Sequence, residues 1–150
     1  MNKALFAGSF DPYTTGHHDI LVQASKIFDE VIVAVAYNSQ KKGFLTIDKR
    51  LEIIIKNVSE LENVSVDSYE GLTVEYAKKN NINVLIRGIR NSLDFEYEMQ
   101  IANTNKMLAP EITTLFLTPK SENAYISSSM VRDVYTNGGD VSKFVSFFDL

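Results

Sequence analysis

The stretch Val31–Tyr37 constrains this chain most. It reads V-I-V-A-V-A-Y, seven apolar residues in a row and rich in valine. A run of this kind fits a strand buried on both faces, which needs covering layers above and below it. The flanking sequence supplies the layers. Ile20, Leu21, Ala24, Ile27 and Phe28 follow the spacing of one helix face before the run. Ile47, Leu51, Ile54, Ile55, Val58 and Leu61 do so after it, with Thr46 placed to cap the start.

The alternation extends along the whole chain. Ala4–Ala7 is a short apolar run ending at Gly8, Val64–Val66 a weaker one, and Val84–Ile86 another, ending at Arg87-Gly88. Ile112–Leu117 completes a set of five predicted strands. Leu72–Lys79 is expected to be helical, closed by Asn80-Asn81. A long helix is marked by Leu93, Tyr97, Ile101 and Leu108 and stops near Pro110. Ser127–Tyr135 is a further helix ended by Gly138-Gly139, and an amphipathic piece with Val141, Phe144, Val145 and Phe148 follows. Strand and helix in strict alternation imply a single α/β domain over residues 1–150. The fold expected is Rossmann-like: a doubly wound, five-stranded parallel sheet with helices on both faces. Ligands of such sheets bind beyond the carboxyl ends of the strands, where the strand order reverses. Function is therefore expected in residues 8–17, 38–44, 87–90 and 118–129.

Composition narrows the classes. With 150 residues, 45% hydrophobic and 23% charged, the chain has the balance of a globular domain. Its net charge of −4 argues against a general nucleic-acid binder, which needs a basic face. There is no cysteine, so disulfides, thiolate catalysis and cysteine-ligated zinc are excluded. No apolar run approaches the roughly 20 residues that cross a bilayer, and Ala4–Ala7 is too short for a signal-peptide core. A cytoplasmic enzyme with no nucleic-acid or membrane partner is expected.

The first of the four segments carries the densest chemistry. It reads Gly8-Ser9-Phe10-Asp11-Pro12-Tyr13-Thr14-Thr15-Gly16-His17. Its last two residues are expected to open the first helix, where free N–H groups and the helix dipole favour a phosphate. His17 there can donate Nε2–H to a phosphate oxygen and need not be a base. His18 reads as a solvated helix residue. Lys41-Lys42 follows the second strand. Arg87 and Arg90 flank Gly88 and Ile89 after the fourth, which suits bidentate phosphate contacts. Asp94 and Glu96 read as dipole complements in a first helical turn. Ser127-Ser128-Ser129 offers one cap and a surplus of donors.

The ten-residue string resembles the signature of the adenylyl- and cytidylyltransferase superfamily, G-[ST]-F-D-P followed by [HT]-x-G-H, with Thr14-Thr15-Gly16-His17 as the second half. Together with L-I-R-G-I-R, D-F-E-Y-E-M-Q and I-S-S-S-M-V-R, the chain is similar to bacterial phosphopantetheine adenylyltransferases from about residue 2 to about residue 145. That resemblance implies transfer of AMP from ATP to 4′-phosphopantetheine, giving dephospho-coenzyme A and pyrophosphate by in-line attack with Mg²⁺ assisting. It implies that His17 stabilises the transition state. It implies that ATP is contacted by Ser9, Phe10, His17, Gly88, Ile89, Arg90, Glu98, Asn123, Ala124, Tyr125, Ile126, Ser127, Ser128 and Ser129. The acceptor falls to Ser9, Lys41, Thr73 and Arg87. No protein metal ligand is implied. A homohexamer inhibited by coenzyme A is. Ser9 replaces the commoner threonine, and Asn123 stands where relatives often carry an aromatic residue. The alternative acceptor is nicotinate mononucleotide or a related compound. The first loop does not separate these, whereas the L-I-R-G-I-R and D-F-E-Y-E-M-Q segments favour phosphopantetheine.

Overall fold

The computed structural model describes residues 1–149. Five strands, β1 (Lys3–Gly8), β2 (Glu30–Tyr37), β3 (Val64–Glu70), β4 (Val84–Gly88) and β5 (Thr113–Leu117), alternate with five helices. These are α1 (Thr15–Ile27), α2 (Ile47–Val58), α3 (Thr73–Lys79), α4 (Ser92–Leu108) and α5 (Ser128–Thr136). The strands form one sheet in the order β3-β2-β1-β4-β5, and every pairing is parallel. The chain winds outward from β1 to β3, then crosses back to β4, so the strand order reverses between β1 and β4. The expected doubly wound architecture is the observed one.

Alternation within each strand explains the apolar runs. In β1, Ala4 and Phe6 face a core shared with Ile20, Leu21 and Ala24 of α1, Ile53 and Ile54 of α2, and Val131 of α5. Leu5 and Ala7 face the opposite core, with Val74 and Ala77 of α3, Ile82 and Ile112. β2 divides in the same way: Val31, Val33 and Val35 on one face, Ile32 and Ala34 on the other. Burying each such Ile, Leu or Val stabilises the fold by about 1.5–3 kcal/mol before ordering costs are set against it.

Three local features differ from the sequence expectation. β3 extends to Glu70 rather than stopping at Val66, because pairing with β2 through Tyr37↔Glu70 outweighs the polar Ser65, Asp67 and Ser68 of an edge strand. The amphipathic piece after α5 forms turns, yet Val141 and Val145 are buried in the α1/α2/α5 core. The long helix α4 is little enclosed, with Glu98 its only buried residue. Leu93, Tyr97 and Met107 are each more than half exposed. Among the described residues, no helix is long and apolar enough to cross a membrane.

Candidate active site

A cavity of about 220 Å³ opens where the strand order reverses, at the carboxyl ends of β1 and β4. Its floor is Ala7 and Gly8, and one wall is His17 at the start of α1. Arg87, Gly88 and Arg90 enter from the end of β4, Asp94 and Glu98 from α4, and Ile126, Ser127 and Ser128 from the start of α5. Two helix N-termini thus converge on one space, each bringing the positive end of a dipole. Ser128 Oγ donates to Pro12 O at 2.8 Å and Arg132 Nη1 to Asp11 O at 2.8 Å, tying α5 to the first loop.

The orientation of His17 follows from helix capping. Thr14 is the N-cap of α1, and its Oγ1 accepts from His17 N at 3.3 Å. In return Thr14 N–H donates to His17 Nδ1 at 3.0 Å, so histidine takes the reciprocal place that Glu or Gln fills in a capping box. With Nδ1 accepting, the proton of the neutral ring resides on Nε2, which becomes a donor and leaves the ring no spare acceptor. Burial lowers the His17 pKa, and the charges of Arg87 and Arg90 lower it further, to about 3. The ring stacks on Tyr13, centroids 5.7 Å apart, and meets the edge of Phe10 at 5.0 Å. Phe10 is buried despite a left-handed φ of 45°. That conformation costs a non-glycine residue about 1–2 kcal/mol, which packing against Phe6, Tyr13 and His17 offsets.

The arginines are both held by α4. Arg87 donates from Nε and Nη2 to the two oxygens of Glu98 at 2.8 and 2.7 Å, and from Nη1 to Ala7 O at 2.6 Å. Burial works to lower the Arg87 pKa, but the Glu98 hydrogen bonds and charge prevail and raise it. Arg90 pairs with Asp94, Nε to Oδ2 at 3.1 Å and Nη2 to Oδ1 at 3.2 Å. Asp94 and Glu98 lie four apart and so share one helix face.

A second cavity, of about 170 Å³, lies beyond Gly8 and Arg87 between Tyr69, Thr73, Leu85, Ile101 and Asn105. Ala7, Gly8 and Arg87 line both cavities, so the two spaces meet at the end of β1. Thr73 lines this cavity, its Oγ1 2.7 Å from Tyr69 Oη.

Of the expected site residues, Ser9, Phe10, His17, Gly88, Arg90, Glu98, Ile126, Ser127 and Ser128 line the first cavity, Arg87 both and Thr73 the second. Others are not brought in. Lys41 is exposed in the turn after β2, its N–H bonded to Asn38 O, and lines neither cavity. Ser129 is exposed, its Oγ 3.2 Å from that of Ser127, which is the α5 cap. Asn123 donates to Asp19 at 2.6 Å, and Ile89 N–H extends the ladder to Leu117 O. Tyr125 is largely exposed against the edge of Phe144, and Ala124 lines neither cavity. His18 is only partly solvated. It is half-buried with Nδ1 3.0 Å from Tyr13 Oη, and its pKa is lowered by burial.

Sequence reasoning missed two groups. Asp94 is the dipole complement in the first turn of α4 and also lines the cavity; its spacing of four from Glu98 is the signal. Asp11 is buried, accepts from Phe44 N (2.7 Å) and Leu45 N (2.8 Å), and forms an ion pair with Arg50 Nη2 at 3.2 Å. Arg50 also donates to Ser9 O and Leu45 O, so this pair clamps the first loop to the loop after β2. No local pattern joins residues that far apart.

Residues 5–134 match the cytidylyltransferase-like family model. Three solved structures illustrate the fold likeness. A Vibrio parahaemolyticus protein assigned as a nicotinate-nucleotide adenylyltransferase aligns at TM-score 0.71 and 18% identity, over 97% of this chain and 87% of that one. The Plasmodium falciparum nicotinic acid mononucleotide adenylyltransferase, complexed with NaAD, aligns at TM-score 0.72 and 18% identity, over 97% and 91%. A bifunctional NMN adenylyltransferase/ADP ribose pyrophosphatase from Francisella tularensis aligns at 0.72 and 14%, over 96% of this chain and 44% of that one. At these identities the likeness is one of fold, and the family model carries the assignment: this chain belongs to the cytidylyltransferase-like family of the nucleotidyltransferase superfamily.

Proposed function

We propose that the protein transfers AMP from ATP to 4′-phosphopantetheine, releasing pyrophosphate. The observation that carries this reading is the pair of cavities meeting at Gly8 and Arg87 beneath His17. One has two helix N-termini and suits a polyphosphate. The other is a slot between Leu85, Ile101 and Thr73 that suits a thin, largely aliphatic chain. A phosphate at their junction would sit where an acceptor oxygen can approach the α-phosphorus in line.

His17 acts in this proposal through Nε2–H, donating to an oxygen that gains charge in the transition state. With Nδ1 occupied by Thr14 N–H, it does not take a proton from the acceptor, whose phosphate is already anionic. Arg87, Arg90, Ser9, Ser127 and Ser128 bind phosphates, and Phe10 and Ile126 shape the nucleotide wall. Mg²⁺ would enter bound to the phosphates of ATP and supply charge neutralisation there. The cavity carboxylates are already paired with arginines, and among the described residues no three His, Asp or Glu side chains cluster to hold a metal. The same reading places the protein in the cytoplasm as a homohexamer inhibited by coenzyme A. The exposed Leu93, Tyr97 and Met107 on α4 support an assembly that covers them.

The acceptor has a second reading. The solved neighbours bear the names of nicotinate-mononucleotide and NMN enzymes, and by themselves they favour nicotinate mononucleotide over phosphopantetheine. Purified protein with ATP and Mg²⁺ is to be offered each acceptor separately while pyrophosphate is measured. Release with phosphopantetheine is expected; release with nicotinate mononucleotide alone would reject the first reading for the second. His17→Ala is expected to lose roughly a hundred- to thousand-fold in turnover while retaining ATP binding.

A further inference from the structure

The first cavity has an unexpected charge balance. Two arginines enter it, and two carboxylates of α4 enter with them, so its side chains sum to zero formal charge. An anion site gains affinity from uncompensated cations. Here each guanidinium already offers its Nε–Nη2 edge to a carboxylate. That edge is the one best matched to a phosphate fork.

The two pairs are not equivalent. Arg87–Glu98 is the tighter, with both contacts under 3 Å, a third bond to Ala7 O, and Glu98 only 7% exposed. It reads as a fixed support. Arg90–Asp94 is longer, at 3.1 and 3.2 Å, and both side chains keep about a quarter of their surface open to solvent. Asp94 also accepts from Arg90 N–H at 3.1 Å, so the carboxylate remains anchored if the guanidinium leaves it. The pair is therefore exchangeable from the arginine side: the guanidinium can turn to an incoming phosphate while Asp94 stays on the backbone.

We infer that Asp94 competes within the site for Arg90 and so weakens the hold on polyphosphate, favouring pyrophosphate release after transfer. The inference rests on the nucleotidyltransferase reading. It makes Asp94 an affinity-setting residue with no part in bond formation. A carboxylate that merely held Arg90 in place would have the opposite effect when removed.

The test is calorimetric binding of inorganic pyrophosphate to the full chain at fixed ionic strength, for wild type, Asp94→Asn, Asp94→Ser, Arg90→Gln and the Asp94→Asn/Arg90→Gln double variant. Both neutral replacements of Asp94 are expected to bind roughly five- to fifty-fold more tightly, the scale of one charge interaction in a half-exposed site. The gain should vanish when Arg90 is also replaced. In steady state, kcat and KM for ATP should fall together in Asp94→Asn. A gain in affinity cannot come from damaged folding. Unchanged or weaker binding in both Asp94 variants, with a wild type that binds pyrophosphate, overturns this inference alone. A wild type that binds no pyrophosphate overturns the nucleotidyltransferase reading with it.

Discussion

The depressed pKa of His17 makes a prediction that can be worked from the structure. The neutral ring accepts Thr14 N–H at Nδ1, so protonation there would set two N–H groups against each other. Burial and the two arginine charges act in the same direction, and the pKa falls from 6.5 to about 3. In the unfolded chain the group has its ordinary value. Between pH 6.5 and 3 the unfolded state therefore binds more protons, and stability rises with pH through that window. Acidification to pH 5 should cost about 2 kcal/mol from this residue alone, at about 1.36 kcal/mol per pH unit over the 1.5 units below 6.5. The perturbation is His17→Gln, whose side-chain oxygen can take over the Thr14 N–H as in an ordinary capping box. Urea unfolding of both proteins at pH 7, 6 and 5 gives the difference in stability, in which His18 and the carboxylates cancel. The wild type should lose about 2 kcal/mol relative to the variant between pH 7 and 5. At pH 7 only about one His17 in ten thousand is protonated, so turnover should show no ionisation of this ring between pH 5 and 8. A stability difference flat with pH, or a ring proton titrating near 6.5 by NMR, would refute both the donor assignment and the capping argument.

Other outcomes follow from the clamp and the second cavity. Asp11→Ala strands the buried Arg50 charge and should destabilise by about 3–5 kcal/mol in urea unfolding; a loss below about 1 kcal/mol would mean the pair contributes nothing beyond geometry. Gly43→Ala would drive a Cβ into Arg50 Nη2 and to 2.8 Å from Asp11 Oδ2, so it should cost about 1–3 kcal/mol by displacing the clamp; an unchanged thermal midpoint would contradict that packing. Thr73→Phe should fill the second cavity and raise the acceptor KM at least about ten-fold with the ATP KM unchanged; a matching rise for ATP would place the acceptor elsewhere.

The sheet, its parallel winding and the end at which the cavity opens were readable because they rest on local patterns. Apolar runs, helix periods, the cap Thr46 and one capping serine among residues 127–129 each act within a few residues. β3 was underread because its stability comes from β2 and not from its own composition. His18 and Asp94 were read incompletely for one reason: whether a polar helix residue also meets a neighbour depends on what packs beside it, here Tyr13 and Arg90.

The sequence by itself determined an α/β sheet carrying a Gly–His loop at a helix start. Hydrogen bonding to the next turn and burial of alternate residues are short-range requirements that the chain states in its own order. Tertiary structure alone decided which arginine meets which carboxylate, that Lys41 stays outside, and that Asp11 and Arg50 clamp two loops. Those outcomes depend on where β1, β4, α4 and α5 end in space. Charge pairing is set by distances of a few ångströms between segments tens of residues apart, which no local pattern encodes.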